Sequence, residues 1–427
     1  MWLDTRINYE TLTGGCYSTQ SFKLERVEEL HRRLGLPLEN FPVVHVTGTK
    51  GKGSTSAMVA RILQATGRRV GLFHSPHLRN LEERFLIDGI PCTSEDLQEY
   101  DAVLRPVVEQ MDADERAGKT SWGIVTWFEL TAMVAFLHFA RYAVDVAVLE
   151  VGMGGRLDAT NICRPLVSVI TNISRDHTAQ LGNTIALIAG EKGGIIKENT
   201  PVVSGATQPE AISVIERIAA ERKAPLYLLG RDFAWENRYA VGMNGRHQKS
   251  NAALAVRVVE LLRTRGWEIS EDAVRTGLRE AVLPGRLEVI SEEPLVILDV
   301  AHNAISVDGT LEWIQETYPK RRKRVVFAVS GDKDWQTMLR KIAGVVQKVY
   351  LTEYRINPRA AKVSELAAFC RKEGILAEVE PDSVTCVQRA KRGMTEEDLL
   401  LVVGSFFLIG EVRQESQTFP SPMNHEP

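Results

Sequence analysis

A series of continuous apolar runs, separated by stretches of helical periodicity, constrains this chain more than any other feature. "FPVVHV" (Phe41 to Val46), Val70 to Phe73, "DVAVLEV" (Asp145 to Val151), "PLVSVITNIS" (Pro165 to Ser174) and "PVVSG" (Pro201 to Gly205) lack the polar–apolar alternation of a sheet with one wet face. Such runs read as strands buried on both faces, which calls for covering helices and parallel, crossover-connected strands. The first part is therefore predicted to be a doubly wound α/β domain. A second series, "PLVILDV" (Pro294 to Val300), "RVVFAVS", "KVYLTE" and "DLLLVVGS" (Asp398 to Ser405), alternates with helical stretches in the same way and predicts a smaller α/β domain of Rossmann-like type. Two cores also suit 427 residues, too many for one ordinary domain. The boundary is placed near Leu283-Pro284-Gly285-Arg286, giving domains over 1–284 and 285–413. Residues 414–427, polar and proline-containing, read as a disordered tail.

Between the first apolar run and a helical pattern (Met58, Val59, Ile62, Leu63, with Gly67 as a stop) lies "HVTGTKGKGSTS", His45 to Ser56. It nearly spells the phosphate loop G-x-x-x-x-G-K-[ST], but Gly53 separates Lys52 from the hydroxyl and Val46 holds the first glycine position. The physics survives the departures. Glycines let backbone N–H groups approach an anion, a helix N-terminus adds positive potential, and Lys52 supplies a charge for terminal phosphates. A nucleotide triphosphate is the predicted ligand of Gly51, Lys52, Gly53 and Ser54.

Ligands of open α/β sheets gather beyond the carboxyl ends of the strands. The residues just after each run form a coherent set there: His74-Ser75-Pro76-His77, Glu150 with Gly152 to Asp158, and Arg175-Asp176-His177. Magnesium on a triphosphate takes hard oxygen ligands from few side chains, which suits Ser75 and Glu150.

Composition narrows the partners. Formal net charge is −3, with no overall basic excess for nucleic acid; the local run "KRRKR", Lys320 to Arg324, reads as a solvated helix-to-strand loop. Cys16, Cys92, Cys163, Cys370 and Cys386 are odd in number and lack a C-x-x-C pair, which predicts free thiols and no zinc site. "MWLDTRINYE" has no apolar signal core, and no apolar run approaches roughly 18 residues. A soluble cytoplasmic protein is expected.

"HVTGTKGKGST", "SPHL" with Glu83-Arg84 following, "TWFELTA" (Thr126 to Ala132), "LEVGMGGRLDATN", "DHTAQLGNTIALIAGEKGGIIK", "GRHQKSNAALA", "LPGRLEVI", "DVAHN", "NPRA" and "GSFFLIGEV" occur in order from about residue 20 to residue 413. Together they resemble the folylpolyglutamate synthase and dihydrofolate synthase family, Mur-ligase-like enzymes that form amide bonds at the expense of ATP. The resemblance implies a Mur-ligase-like P-loop domain followed by a domain closing over ATP, with a hinge near Pro284-Gly285. It implies ATP contacts at Gly51, Lys52, Gly53, Ser54, Asn251 (near the base), Arg286, Asp299 and His302. Ser75, Glu150 and His177 match the family's magnesium ligands, with two metal positions implied. Lys192 falls where relatives carry a lysine carbamylated by CO₂, an anion able to bind metal. Thr126, Trp127, Phe128, Glu129, Leu157, Asp158 and Ala159 match the pterin-facing positions, with Phe22 to Leu24 a weaker match. Lys52, His177 and Lys192 would be catalytic.

Three positions depart from the family's habit: Lys50 stands where many bacterial relatives have Asn, Ala304 where many have Pro, and Val300 where glycine is common. The reaction implied is transfer of the ATP γ-phosphoryl to a pteroate or folate carboxylate, then attack on the acyl phosphate by the amine of L-glutamate. A bifunctional enzyme acting as a monomer is expected. A folylpolyglutamate synthase without the dihydrofolate activity, a Mur-type cell-wall ligase and a nucleotide-switched binding protein stand as the alternatives.

Overall fold

The computed structural model describes residues 1–10, 22–36 and 41–416. The chain divides into two units. One comprises Met1–His77, Leu81–Gly242 and His247–Val282; the other comprises Leu78–Asn80, Met243–Arg246 and the chain from Leu283 onward. The second unit thus takes two short segments from within the stretch assigned by sequence to a continuous first domain.

The strands of the first unit are β1 (Val43–Thr47), β2 (Val70–Phe73), β3 (Phe85–Ile87), β4 (Ile90–Pro91), β5 (Val146–Glu150), β6 (Val167–Ile170), β7 (Val202–Ser204) and β8 (Leu226–Leu228). Its helices are α1 (Leu24–Leu34), α2 (Lys52–Gln64), α3 (Ser94–Arg116), α4 (Trp127–Arg141), α5 (Thr178–Leu181), α6 (Ile185–Gly193), α7 (Pro209–Glu221), α8 (His247–Arg263) and α9 (Glu271–Glu280). Among the described residues the sheet order is β4-β3-β2-β5-β1-β6-β7-β8. β1 pairs in parallel with β5 on one side and β6 on the other, and every residue of these three strands is buried.

The pairing aligns strand ends. Val46 lies opposite Glu150, and Thr47 opposite Ile170, so the segments leaving β1, β5 and β6 emerge along one edge. Phe73, Phe85, Phe136 and Phe139 belong to one core, while Ile188, Ile195 and Ile215 belong to another that includes Ile170 and Val202. α2 is braced by α9, because Gly277 has no side chain: a Cβ there would lie 2.4 Å from the Cα of Ile62.

The second unit contains β9 (Glu288–Glu292), β10 (Leu295–Asp299), β11 (Arg322–Phe327), β12 (Lys348–Glu353), β13 (Ala377–Asp382) and β14 (Asp398–Val403), in the order β13-β12-β11-β14-β10-β9. Among the described residues, five helices accompany them: α10 (Ala304–Thr317), α11 (Trp335–Ala343), α12 (Val363–Glu373), α13 (Ser383–Lys391) and α14 (Phe406–Ser416). Leu295, Ile297, Leu399 and Leu401 enter one core and Val296, Leu298, Leu400 and Val402 another, as strands buried on both faces require.

Both sheets are mixed. β3 and β4 form an antiparallel hairpin at one edge, and β9 runs antiparallel to β10. The hairpin turns through Asp88 (φ 53°) and Gly89 (φ 81°), the two positive dihedrals of a tight two-residue turn. "KRRKR" is not a solvated loop throughout. Arg322, Lys323 and Arg324 pair in β11, and Lys323 is buried with Nζ donating to the carbonyls of Tyr318 (3.0 Å) and Arg321 (2.8 Å). α14 continues to Ser416, three residues into the stretch expected to be tail; 417–427 and Cys16 lie outside the described residues. Cys92, Cys163, Cys370 and Cys386 are free and buried. No helix among the described residues is long and apolar enough to cross a membrane.

Candidate active site

Gly51 caps the N-terminus of α2 with φ of 82°, a left-handed conformation that favours glycine. Gly48 is also required. A Cβ on it would lie 1.8 Å from Oγ1 of Thr171. The loop is stitched to the segment after β6: Thr49 N–H donates to the Asn172 carbonyl (2.9 Å), Lys50 N–H to Asn172 Oδ1 (2.9 Å), and Thr171 Oγ1 to the Lys50 carbonyl (2.6 Å). Two loop amides are thereby used inside the protein. The first-turn amides from Lys52 onward are the ones a helix start presents to an anion.

Two lysines converge on one oxygen. Lys52 Nζ lies 3.3 Å and Lys192 Nζ 2.9 Å from the Gly48 carbonyl. Lys192 projects from α6 into a buried position, and burial, followed by the nearby Lys52 charge, draws its amine down to about 7.

Glu150, buried at the end of β5, accepts the Ser75 N–H at 3.2 Å, so these two predicted oxygen ligands are neighbours. His177 is exposed at the start of α5 with φ of 48°, and its N–H donates to Asp176 Oδ1 at 3.0 Å. Asp176 Oδ2 accepts from Lys50 Nζ at 3.0 Å, which ties the phosphate loop to the imidazole segment. Among the described residues no three His, Cys, Asp or Glu side chains already form a metal cage. The adjacent Ser75 and Glu150 still fit an ion that takes most of its oxygens from a triphosphate and water.

Asn251, expected near the base, lies at the loop itself. A Cβ on Gly51 would come within 2.4 Å of Asn251 Oδ1. Its amide donates to Gln248 Oε1 (2.9 Å), and Gln248 Nε2 donates to Ser54 Oγ (3.3 Å).

Thr126 caps α4 in a capping box with Glu129. Glu129 is buried and paired with Arg26, whose Nη2 approaches Oε1 to 2.6 Å. Trp127 is buried under the Arg84 guanidinium (4.8 Å to the ring centroid), and Arg84 also pairs with Glu10 and donates to His77 Nδ1. Phe128 alone of the four lies half-buried, over Gly152: a Cβ there would be 2.3 Å from the ring's Cζ. Leu157 is half-buried, Asp158 and Ala159 are buried, and Phe22 stands edge-on to Tyr9 at 5.6 Å.

Within the second unit, Asp299 at the end of β10 accepts from the amides of Leu287 (2.8 Å) and Ala301 (2.9 Å) and from Thr310 Oγ1 (3.0 Å). Burial raises its carboxyl above the ordinary range. Arg286 (5.1 Å) and His302 (5.7 Å) both pack on the ring of Phe406.

Sequence reasoning had not singled out Arg26, Asn172, Gln248 or Phe406. The last two stand in quoted motifs, and Phe406 lies just beyond the apolar run of β14, as Glu150 lies at the end of that of β5.

Two family models match the chain: the Mur ligase middle domain over residues 126–232 and the Mur ligase glutamate ligase domain over residues 285–406. A dihydrofolate synthase/folylpolyglutamate synthase of Bacillus subtilis is 34% identical over 435 residues, covering 97% of each chain. A folylpolyglutamate synthase of Mycobacterium tuberculosis, solved with ADP, superposes with a TM-score of 0.86 at 31% identity, covering 98% of each chain. Escherichia coli FolC, solved with DHPP and ADP, gives 0.83 at 30% identity, covering 98% of this chain and 97% of that one.

Proposed function

The chain belongs to the folylpolyglutamate synthase/dihydrofolate synthase family, and from that membership we propose that it ligates L-glutamate to dihydropteroate and to reduced folates through an acyl phosphate. The observation that supports the chemistry best is the placement of Lys52 at the N-terminus of α2, its Nζ 3.3 Å from the Gly48 carbonyl of the loop.

Phosphoryl transfer needs cations aimed at the oxygens over which charge spreads. With ATP bound at Gly51, Lys52, Gly53 and Ser54, Lys52 exchanges its carbonyl partner for the terminal phosphate. A substrate carboxylate oxygen attacks the γ-phosphorus and ADP leaves. The amine of glutamate then attacks the acyl carbon, a proton is lost from nitrogen, and phosphate departs as the amide forms. Ser75, Glu150, His177 and a carbamylated Lys192 are the residues we assign to magnesium, which when bound supplies further neutralisation of phosphate oxygens. Lys192 suits carbamylation by its enclosure: burial draws its amine down to about 7, so a substantial share is uncharged near neutrality, and the neutral amine is the form that adds to CO₂, releasing a proton.

Phe128, with Leu157 and Ala159, forms the wall we assign to the pterin ring, since a flat heteroaromatic favours an aromatic face. Glu129 and Trp127 serve that wall from behind, being spent on Arg26 and beneath Arg84. The buried free thiols accord with a cytoplasmic enzyme, which we take to act as a monomer.

ADP release measured with ATP and either dihydropteroate or tetrahydrofolate, with and without L-glutamate, tests the reading. Release that requires both glutamate and the pterin substrate is expected. Release indifferent to glutamate overturns the ligase assignment, and activity with tetrahydrofolate alone removes the dihydropteroate half.

A further inference from the structure

We propose that His45 and Thr160 are positioning residues for the pterin substrate, acting through Asp158 to fix the loop on which Phe128 rests, with His45 held as its Nε2–H tautomer. The inference rests on the assignment of Phe128 and residues 157–159 to the pterin.

Asp158 spends its whole carboxylate on its own loop. Oδ2 accepts the amides of Gly152 (3.0 Å) and Met153 (3.1 Å); Oδ1 accepts Thr160 N–H (3.0 Å) and Thr160 Oγ1 (2.5 Å). Four donors match the roughly four lone-pair positions of a carboxylate. Gly152, one of the two residues gripped, is the one beneath the Phe128 ring. The carboxylate therefore sets the height of the backbone against the aromatic wall.

Thr160 has one hydroxyl hydrogen, and Asp158 takes it. The hydroxyl can then only accept from the buried His45, whose Nε2 lies 2.8 Å away, so Nε2 bears the proton. Nδ1 must be bare. It is buried without a hydrogen-bond partner, which costs least when it carries a lone pair and no charge. Burial and the neighbouring Lys197 charge lower the ring's pKa to about 3, in keeping with a neutral imidazole.

His45 and Thr47 lie two residues apart on β1 and so share a face. Thr47 Oγ1 donates to the Gly154 carbonyl at 2.6 Å. The strand that feeds the phosphate loop thus holds the 152–158 loop at two points, directly through Thr47 and through the His45–Thr160–Asp158 chain.

The test uses the full-length enzyme. Thr160→Val keeps the shape and removes the hydroxyl. Its apparent KM for dihydropteroate or tetrahydrofolate should rise about tenfold while its KM for ATP stays within about twofold. Two-bond ¹H–¹⁵N spectra of histidine-labelled protein, with His45 assigned by its loss in His45→Gln, should show the Nε2–H pattern unchanged between pH 8 and pH 5.5. Unchanged KM values in folded Thr160→Val, an equal rise in both, or an Nδ1–H or doubly protonated His45 overturns the proposal. If Thr160→Val does not fold, Thr160→Ala is measured in the same way. If the parent enzyme shows no glutamate-dependent ADP release, the functional reading fails, and the His45 spectrum still decides the tautomer on which the relay depends.

Discussion

Lys52 and Lys192 donate to the same oxygen, the Gly48 carbonyl, from the start of α2 and from within α6. An arriving phosphate offers the Lys52 ammonium a stronger, charged acceptor than this shared carbonyl. Lys52→Ala should therefore fold normally and lose roughly 100-fold or more in turnover, about 3 kcal/mol of transition-state stabilisation. Glutamate-dependent ADP release by the purified variant checks it, with near-parental rates excluding Lys52 from phosphoryl transfer.

Lys192→Ala should likewise be inactive, and added acetate or formate should restore part of the rate if the missing group is an anion. Crystals or ¹³C spectra of enzyme treated with labelled bicarbonate should show carbon on Nζ. A bare ammonium in active, nucleotide-bound enzyme would remove carbamylation from the account.

Glu150→Gln preserves size while deleting charge. Its magnesium requirement for both ADP binding and turnover should shift to several-fold higher concentration. Calorimetric ADP titrations at stepped magnesium concentration supply the comparison, and curves that overlay the parent's would show that Glu150 holds no metal.

Removing Arg26 leaves a buried carboxylate with only the Thr126 N–H at 2.8 Å among its strong bonds in the capping box. Arg26→Ala should lower unfolding free energy by about 3 kcal/mol or more, since breaking one side of a buried pair is costlier than lacking the pair. Denaturant unfolding of Arg26→Ala beside Arg26→Met/Glu129→Gln checks this: the double variant should be the more stable.

Stability should fall with acid before ordinary carboxylates titrate. His138, buried beside Tyr100, has its pKa lowered from 6.5 to about 4, chiefly by burial. The unfolded chain then binds more protons than the folded one between about pH 6.5 and pH 4, so stability declines as pH drops through that window. Urea midpoints at pH 7, 6 and 5 should decrease in order, and His138→Gln should make the decrease shallower without abolishing it, because burial holds His45 and His77 low as well.

The central strands of both sheets were legible because burial on two faces leaves nothing but apolar residues to read. β3 and β4 were signalled by Asp88-Gly89 between isoleucines, a hairpin cue that the longer apolar runs overshadowed. β13, "AEVEPD", is half-buried and contains proline, so its pattern could not announce a strand. At the site, glycines and strand ends pointed to the loop and to Glu150. Arg26 could not be read, because its meaning lies in a carboxylate 103 positions away. Asn251 entered only through the resemblance, since nothing in its helical surroundings announces that its side chain lies against Gly51, 200 positions earlier.

The bracing of α2 sets an order on synthesis. By the time residue 228 has left the ribosome, every described strand of the first sheet has been made, and Lys52 and Lys192 exist. Gln248, which reaches Ser54, Asn251, which covers Gly51, and Gly277, which admits Ile62, are all still to come. Between them and the finished sheet lie residues 243–246, which join the other unit. A nascent chain therefore acquires Lys52 and Lys192 well before the helices that steady the loop they meet, and ribosome-bound chains arrested near residue 240 should have the sheet without a competent nucleotide site.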